Sequence, residues 1–326
     1  MLPPMADVQH RRLGDSGLVV STIGLGGNNF GRRVDLDGTR AVVDAALDAG
    51  ITLIDTSDSY GDSEALLGQV LEGRRDRVVV ATKFGSPLPG EPNGPDWGAR
   101  GSRRYIRRAV DRSLRRLRTD WIDLYQLHFP DRATPVAETL AALDELVAEG
   151  KVRYVGSSNL AAWEVADAEW TARDRGTERF ISAQNRYNLL ERDVEVELVP
   201  ACLHFGVGLL PYFPLASGLL TGKYRRGEDP PVGSRYAAWG MVGGLTDERF
   251  DVVERLEAFA AERGVTLLDV AVGGLAAQPG VASVIAGATS PEQVRANVEA
   301  ASWVPSPEDL AALDEITRSR RSRPRG

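Results

Sequence analysis

Short apolar runs alternate along the chain with longer stretches whose apolar residues recur every three or four positions. The runs predict strands at residues 22–26 (TIGLG), 52–55 (TLID), 77–83 (RVVVATK), 121–127 (WIDLYQL), 152–156, 180–184 (FISAQ), 208–212 (GLLPY) and 282–286 (ASVIA). The amphipathic stretches predict helices at 37–50, 63–71, 102–118, 135–149, 160–173, 194–205, 247–263, 267–277, 291–300 and 307–316. Gly50, Gly73 and Gly150 stand where helices should stop, and Pro135 stands near a helix start. Ahead of the first strand, residues 11–20 read as a β-hairpin. Two stretches carry no such period: the Pro- and Gly-rich 85–101, and 218–244. Loops of that length are uncommon in a compact domain and are often functional.

Each strand is apolar on both faces and is followed by helix, which predicts a parallel sheet covered on both sides. Eight such units favour closure into a (β/α)8 TIM barrel. The competing open, doubly wound sheet usually starts with G-x-G-x-x-G. Here Gly24 and Gly26 fit the first two glycines, but Asn29 occupies the third position. The expectation is an α/β chain with one domain over residues 8–317. It carries an N-terminal hairpin, an extra C-terminal helix and a basic, disordered tail at 318–326.

Composition narrows the function classes. Of 326 residues, 39 are basic and 46 acidic, a formal charge of −7, so phosphate backbones are repelled and nucleic-acid binding is not expected. No apolar run reaches the roughly 20 residues that span a bilayer. The first residues lack a charged segment followed by an apolar one, so a cytoplasmic protein is expected. The single cysteine, Cys202, lies in an apolar stretch and reads as a buried thiol. With three histidines and no paired cysteines, no metal site is expected.

In a parallel barrel the chemistry sits at the C-terminal ends of the strands. Strand 2 ends at Asp55, with Tyr60 five residues on; strand 3 ends at Lys83 and strand 4 at His128. Taken singly, Asp55 reads as well as a helix cap, Tyr60 as a turn aromatic, Lys83 as a rim lysine and His128 as a satisfied histidine. Together they place a carboxylate, a phenol, an ammonium and an imidazole on one rim, which suits carbonyl reduction. Hydride arriving at a carbonyl carbon leaves charge on oxygen, which needs a proton donor and stabilisation. A nearby ammonium is expected to lower the phenol's pKa, and the carboxylate to hold the ammonium. None of these groups delivers hydride, so a nicotinamide cofactor is implied.

With these residues in view, the chain resembles the aldo-keto reductase superfamily over residues 12–316. The segments that carry the resemblance are GITLIDTSDSYGDSEALLG (50–68), VVVATKFG (78–85), WIDLYQLHFPD (121–131), GKVRYVGSSN (150–159), PYFPLASGLLTGKY (211–224) and GATSPEQVRANVEA (287–300). The last two look most like the branch containing microbial reductases and potassium-channel β subunits. The resemblance implies a catalytic tetrad of Asp55, Tyr60, Lys83 and His128, with Tyr60 as general acid in reduction and general base in oxidation. It implies that Ser158, Asn159 and Gln184 bind the nicotinamide carboxamide and that Tyr212 stacks on its ring. Gly27, Asn28 and Asp55 fall beside the nicotinamide. Pro214, Leu215, Ser217, Gly218 and Lys223 match the loop over the pyrophosphate, and Gly287, Thr289, Gln293 and Asn297 the adenosine end.

Two positions depart from the family pattern. Phe213 stands in the cofactor loop where a small, usually hydroxylated residue is usual. The segment GATSPEQ lacks the Lys and Arg that often meet a 2′-phosphate, which leaves Thr289, Ser290 and Gln293 as candidates to bind the phosphate and Arg225, Arg226 or Arg235 to reach it from the long loop. NADPH is the expected cofactor, with NADH the alternative. The substrate is expected to be a small aldehyde, ketone or keto-sugar, with Phe30, Trp97 and Trp239 as candidate pocket walls. A cofactor-binding sensor or regulatory subunit is the alternative from another class, and a lyase using Lys83 as a Schiff-base nucleophile is a third.

Overall fold

The eight apolar runs form one parallel sheet in the computed structural model, which describes residues 8–88, 98–238 and 244–318. The strands are β1 (His10–Arg12), β2 (Val19–Ser21), β3 (Ile23–Gly26), β4 (Leu53–Asp55), β5 (Val79–Phe84), β6 (Ile122–Leu127), β7 (Val152–Ser158), β8 (Ser182–Gln184), β9 (Gly208–Leu209) and β10 (Val284–Gly287). The helices are α1 (Leu36–Asp48), α2 (Ser63–Val70), α3 (Arg103–Leu117), α4 (Val136–Ala148), α5 (Ala162–Arg175), α6 (Leu198–Phe205), α7 (Arg235–Ala238), α8 (Asp247–Glu262), α9 (Leu267–Ala276), α10 (Pro291–Ala301) and α11 (Pro307–Thr317). Strands β3 to β9 neighbour one another in chain order, and β10 pairs with β3. The two edges meet as well. Leu209 N donates to Gly280 O (2.8 Å), Ala282 N to Leu209 O (2.9 Å) and Ile285 N to Pro211 O (2.9 Å). The arrangement is consistent with a (β/α)8 fold.

Side chains two apart on a strand share a face, and here that rule stacks an apolar layer beneath a polar one. Leu53, Ala81 and Leu124 belong to one buried cluster with Leu13, Val20, Leu210 and Ile285. Two residues further along the same strands stand Asp55, Lys83 and Gln126, all buried. The opposite strand faces (Ile54, Val80, Val155) pack under the helices against Val42, Leu67, Ile106 and Leu143. The polar layer therefore rests on a solid apolar floor.

The hairpin of β1 and β2 is antiparallel, with His10 opposite Ser21. Its turn requires Gly14, at φ +58°, because a Cβ there would lie 2.4 Å from Gly206 O.

Several boundaries differ from the sequence expectation. The seventh strand is regular only over Gly208–Leu209, because Pro211 has no N–H for the ladder. Helix α6 begins at Leu198, after a 3-10 turn at Asp193–Glu195, since Pro200 is tolerated only in a first helical turn. Strand β7 extends through Ser157 and Ser158, which were expected in the following loop. The stretch expected to be irregular holds a 3-10 segment, Ala216–Thr221, and α7. Leu219, Leu220 and Tyr224 pack there on Phe250, Leu256 and Val270. Cys202 is free and buried, and burial pushes its thiol up to about 12. Among the described residues no helix is long and apolar enough to cross a membrane. Residues 319–326 of the expected tail lie outside the described residues.

Candidate active site

Asp55 ends β4, Lys83 lies in the last turn of β5's pleat, and His128 directly follows β6. Parallel, in-register pairing brings these ends side by side: Asp55 sits opposite Ala81, and Lys83 opposite Gln126. Lys83 Nζ donates to Asp55 Oδ2 at 2.7 Å and to the Thr56 carbonyl at 2.8 Å. The other carboxylate oxygen, Asp55 Oδ1, accepts from Gln184 Nε2 (2.8 Å) and Gln126 Nε2 (3.4 Å). Lys83 Nζ lies 5.0 Å from the centroid of the Tyr60 ring. The Tyr60 ring meets the His128 ring edge-on at 5.8 Å, so the four expected residues form one cluster.

The electrostatics differ from expectation at Tyr60. Burial pushes its hydroxyl above the ordinary phenol value, and Lys83, which pulls it down, does not cancel that effect. The phenol is thus held protonated. Burial draws Lys83 down, but Asp55 and then Tyr60 push it up, and the net shift is upward. Burial, together with Lys83, lowers His128 to about 3, so its imidazole is neutral at ordinary pH. Lys83 is wholly buried and does not line the cleft. Its ammonium is held by Asp55, the Thr56 carbonyl and the Tyr60 side chain, which argues against a Schiff-base role.

A cleft of about 530 Å³ starts at Tyr60 and His128 and passes Ser158, Asn159, Gln184 and Tyr212. It continues along Phe213, Pro214, Leu215, Ser217, Gly218 and Lys223, and reaches Gly287, Thr289, Gln293 and Asn297. Asn159 has a left-handed backbone (φ 60°), and its side chain accepts from the Tyr212 hydroxyl at 2.8 Å and donates to His128 O at 3.0 Å. Ser158 Oγ donates to Gln184 O at 2.7 Å. Phe213, Ala216 and Ser217 also have positive φ, a concentration of backbone strain along one wall. Phe213 keeps its place in that wall, and its carbonyl accepts from Asn188 Nδ2. Gly218 lies at φ +96°, and a Cβ there would come within 2.7 Å of Lys223 Cε and Nζ. An elongated cleft with amide and hydroxyl groups and an aromatic ring at one end and an ammonium midway fits an extended dinucleotide.

Several expectations are corrected. Phe30 is fully buried in the core and does not line the cleft. Its ring packs in the core, while Asn28 and Asn29 line the cleft. Gly27 does not line the cleft either: its N–H donates to Asp55 O, and its neighbour Gly26 is the glycine that lines it there. Arg225 pairs with Glu257, and Arg226 with Asp247, Asp251 and Glu254, so both are turned onto α8. The cations that line the cleft among the described residues are Lys223 and Arg33. Trp97, Trp239 and the Arg235 side chain lie outside the described residues.

Several contributors were missed, among them Arg33, Asn29 and Phe129 in the cleft wall and two residues behind it. Gln126 supports Asp55, and the period-two pattern of WIDLYQL, with Leu124 facing inward, signals it. Ser57 touches His128, and nothing in the sequence pattern shows that contact.

The fold is consistent with the (β/α)8 type, and the site gathers a carboxylate, a phenol, an ammonium and an imidazole at one rim. The profile of the Aldo/keto reductase family matches residues 22–318, and the chain belongs to that family. It is 36% identical to the "Uncharacterized oxidoreductase YrpG" of Bacillus subtilis, over 95% of this chain and 96% of that protein. It is 35% identical to a "Probable voltage-gated potassium channel subunit beta" of Arabidopsis thaliana, over 97% of this chain and 99% of the relative. It is 33% identical to the "Versiconal hemiacetal acetate reductase" of Aspergillus parasiticus, over 94% and 96%.

Proposed function

We propose that this chain is an NADPH-dependent oxidoreductase that reduces an aldehyde, ketone or keto-sugar carbonyl to the alcohol, with Tyr60 as general acid. The observation that carries the reading is the convergence of Tyr60, Lys83, Asp55 and His128 at one end of a cleft shaped for a dinucleotide. A bound nicotinamide supplies the hydride. Tyr60, held protonated by burial, gives its proton to the oxygen on which charge develops. Lys83 stands beside the phenol and stabilises the phenolate left behind, and Asp55 holds Lys83 charged. Neutral His128 offers an N–H to the carbonyl oxygen without adding charge to the site. In the oxidation direction the same phenol accepts the proton.

Ser158, Asn159, Gln184 and Tyr212 would hold the nicotinamide end; the 213–218 wall and Lys223 the pyrophosphate; Gly287, Thr289, Gln293 and Asn297 the adenosine end. The partner is a small carbonyl compound, with no role for nucleic acid or membrane, and the setting is cytoplasmic. The test is a carbonyl panel followed by loss of reduced-nicotinamide absorbance, with NADPH and NADH in parallel and tryptophan quenching to report binding. Saturable NADPH binding with turnover supports the reading, and failure of both nucleotides to bind removes it.

The potassium-channel-subunit relatives favour a second reading, a cofactor-binding sensor with little turnover. Tight nucleotide retention with negligible turnover on every carbonyl would select it.

A further inference from the structure

His128 can donate from the cleft only if its proton sits on Nε2, because Nδ1 points away from the cleft to Ser57 Oγ, 3.1 Å off. A neutral imidazole has one N–H, and the partner of the other nitrogen decides which tautomer is present. Ser57 is therefore placed to set the direction of the histidine's only hydrogen bond donor. The surrounding hydroxyls decide which way it acts. Ser57 Oγ already accepts from the Ser59 backbone N–H at 3.2 Å. Ser59 Oγ lies 2.9 Å from Ser57 Oγ. Both serines are buried.

Two proton arrangements are available. In one, the Ser59 hydroxyl donates to Ser57, filling its second lone pair, and Ser57 donates to Nδ1. Every hydroxyl hydrogen then has an acceptor. In the other, Nδ1–H donates to Ser57 and Ser57 donates to Ser59, which leaves the Ser59 hydroxyl hydrogen with no acceptor among these groups. Buried polar hydrogens without partners are costly. Ser57 Oγ can also donate to Asp58 Oδ1, but at 3.5 Å that bond is longer and weaker than the 3.1 Å contact with Nδ1, and using it in the second arrangement would again leave the Ser59 hydroxyl hydrogen without an acceptor among these groups. The ring itself cannot turn to exchange its nitrogens freely, since it stacks on Phe129 at 4.8 Å and meets Tyr60 edge-on.

We infer that Ser57 is a positioning residue: its hydroxyl donates to His128 Nδ1 and so holds the imidazole as the Nε2–H tautomer that faces the carbonyl oxygen. The inference deepens the reductase reading and rests on it for its catalytic consequence, whereas the tautomer stands on the hydroxyl geometry alone.

The chain has only three histidines, so ring-15N labelling of the full-length protein yields a readable spectrum, and His128→Gln identifies the resonances of interest. The expected wild-type result is a proton on Nε2 and an Nδ1 shifted as a hydrogen-bond acceptor. In Ser57→Ala, the Nδ1 resonance should move to that of an unbonded nitrogen. In the same variant kcat should fall roughly tenfold, the worth of one hydrogen bond, with nucleotide binding by tryptophan quenching unchanged. A wild-type proton on Nδ1 overturns the inference, and so does a Ser57→Ala protein whose kcat is unchanged. An enzyme inactive on every carbonyl, yet with the expected tautomer, would sink the reductase reading and leave the Ser57–His128 bond standing.

Discussion

Lys83 Nζ and Asp55 Oδ2 meet at 2.7 Å with the lysine side chain fully shut from solvent and the aspartate nearly so. A buried pair of this kind gains little over apolar replacement, but breaking it by removing one partner strands a charge. Here the pair occupies the layer directly above the apolar residues Leu53 and Ala81.

Lys83→Met should therefore lower stability by about 3–5 kcal/mol, and should abolish turnover. The double variant Lys83→Met/Asp55→Asn should lose less than the two single losses added. Denaturant unfolding of the four proteins checks this. Strict additivity would mean that the two groups do not interact.

Tyr60→Phe should lower kcat by at least about a hundredfold, the lower end for removal of a general acid. The variant keeps the ring's contacts with Lys83 and His128 and loses only the hydroxyl with its hydrogen bond to Lys83, so nucleotide affinity should hold. Steady-state kinetics with quenching titrations on the same preparation separate the two effects, and undiminished reduction would remove Tyr60 from the mechanism.

Gly218→Ala should weaken nucleotide binding by about fivefold or more, given the roughly 1–3 kcal/mol of a non-glycine residue in a strained conformation. The added Cβ would press on Lys223, the ammonium in the middle of the cleft. The kcat with saturating nucleotide should change little. An unaltered Kd would show that this wall does not contact the cofactor.

Asp58 lies buried behind the site, and burial, then Glu64, raise its carboxyl to about 7, against the pull of Arg112 and Arg116. The unfolded chain releases this proton near pH 4, while the folded chain keeps it to about 7, so stability falls with rising pH across that window. Asp58→Asn should match the wild type near pH 4 and exceed it by roughly 4 kcal/mol at pH 8. Urea melts at four pH values test this, and a gap that does not widen with pH would place the raised value in doubt.

His128 has the opposite sign. Its folded value of about 3 lies below its ordinary 6.5, so the unfolded chain takes up a proton that the folded chain refuses. Its contribution to stability is complete above pH 6.5 and diminishes as pH falls toward 3. In a ring-15N titration, His128 should remain neutral from pH 8 to 5. A midpoint inside that range would show that the imidazole is better solvated than its packing against Phe129 and Tyr60 indicates.

The sequence by itself determined the strand-and-helix order, because period-two and period-3.6 apolar patterns are local and survive without tertiary context. Strand β5 and helix α3 stand within a residue or two of where those patterns put them. It also determined that Asp55, Lys83 and His128 share a rim, since strand ends in a parallel sheet share a direction. The strand limits at Pro211 and the helix start before Pro200 were legible in principle from proline chemistry. Only the tertiary structure decided what depends on which side chain reaches which. Burial overrode the lysine at Tyr60, acidic residues of α8 drew Arg225 and Arg226 away from the cleft, and Phe30 turned into the core. Ser57 came to face His128 although 71 residues separate them. Desolvation and ion pairing are sums over spatial neighbours, and those neighbours come together only when the sheet is assembled.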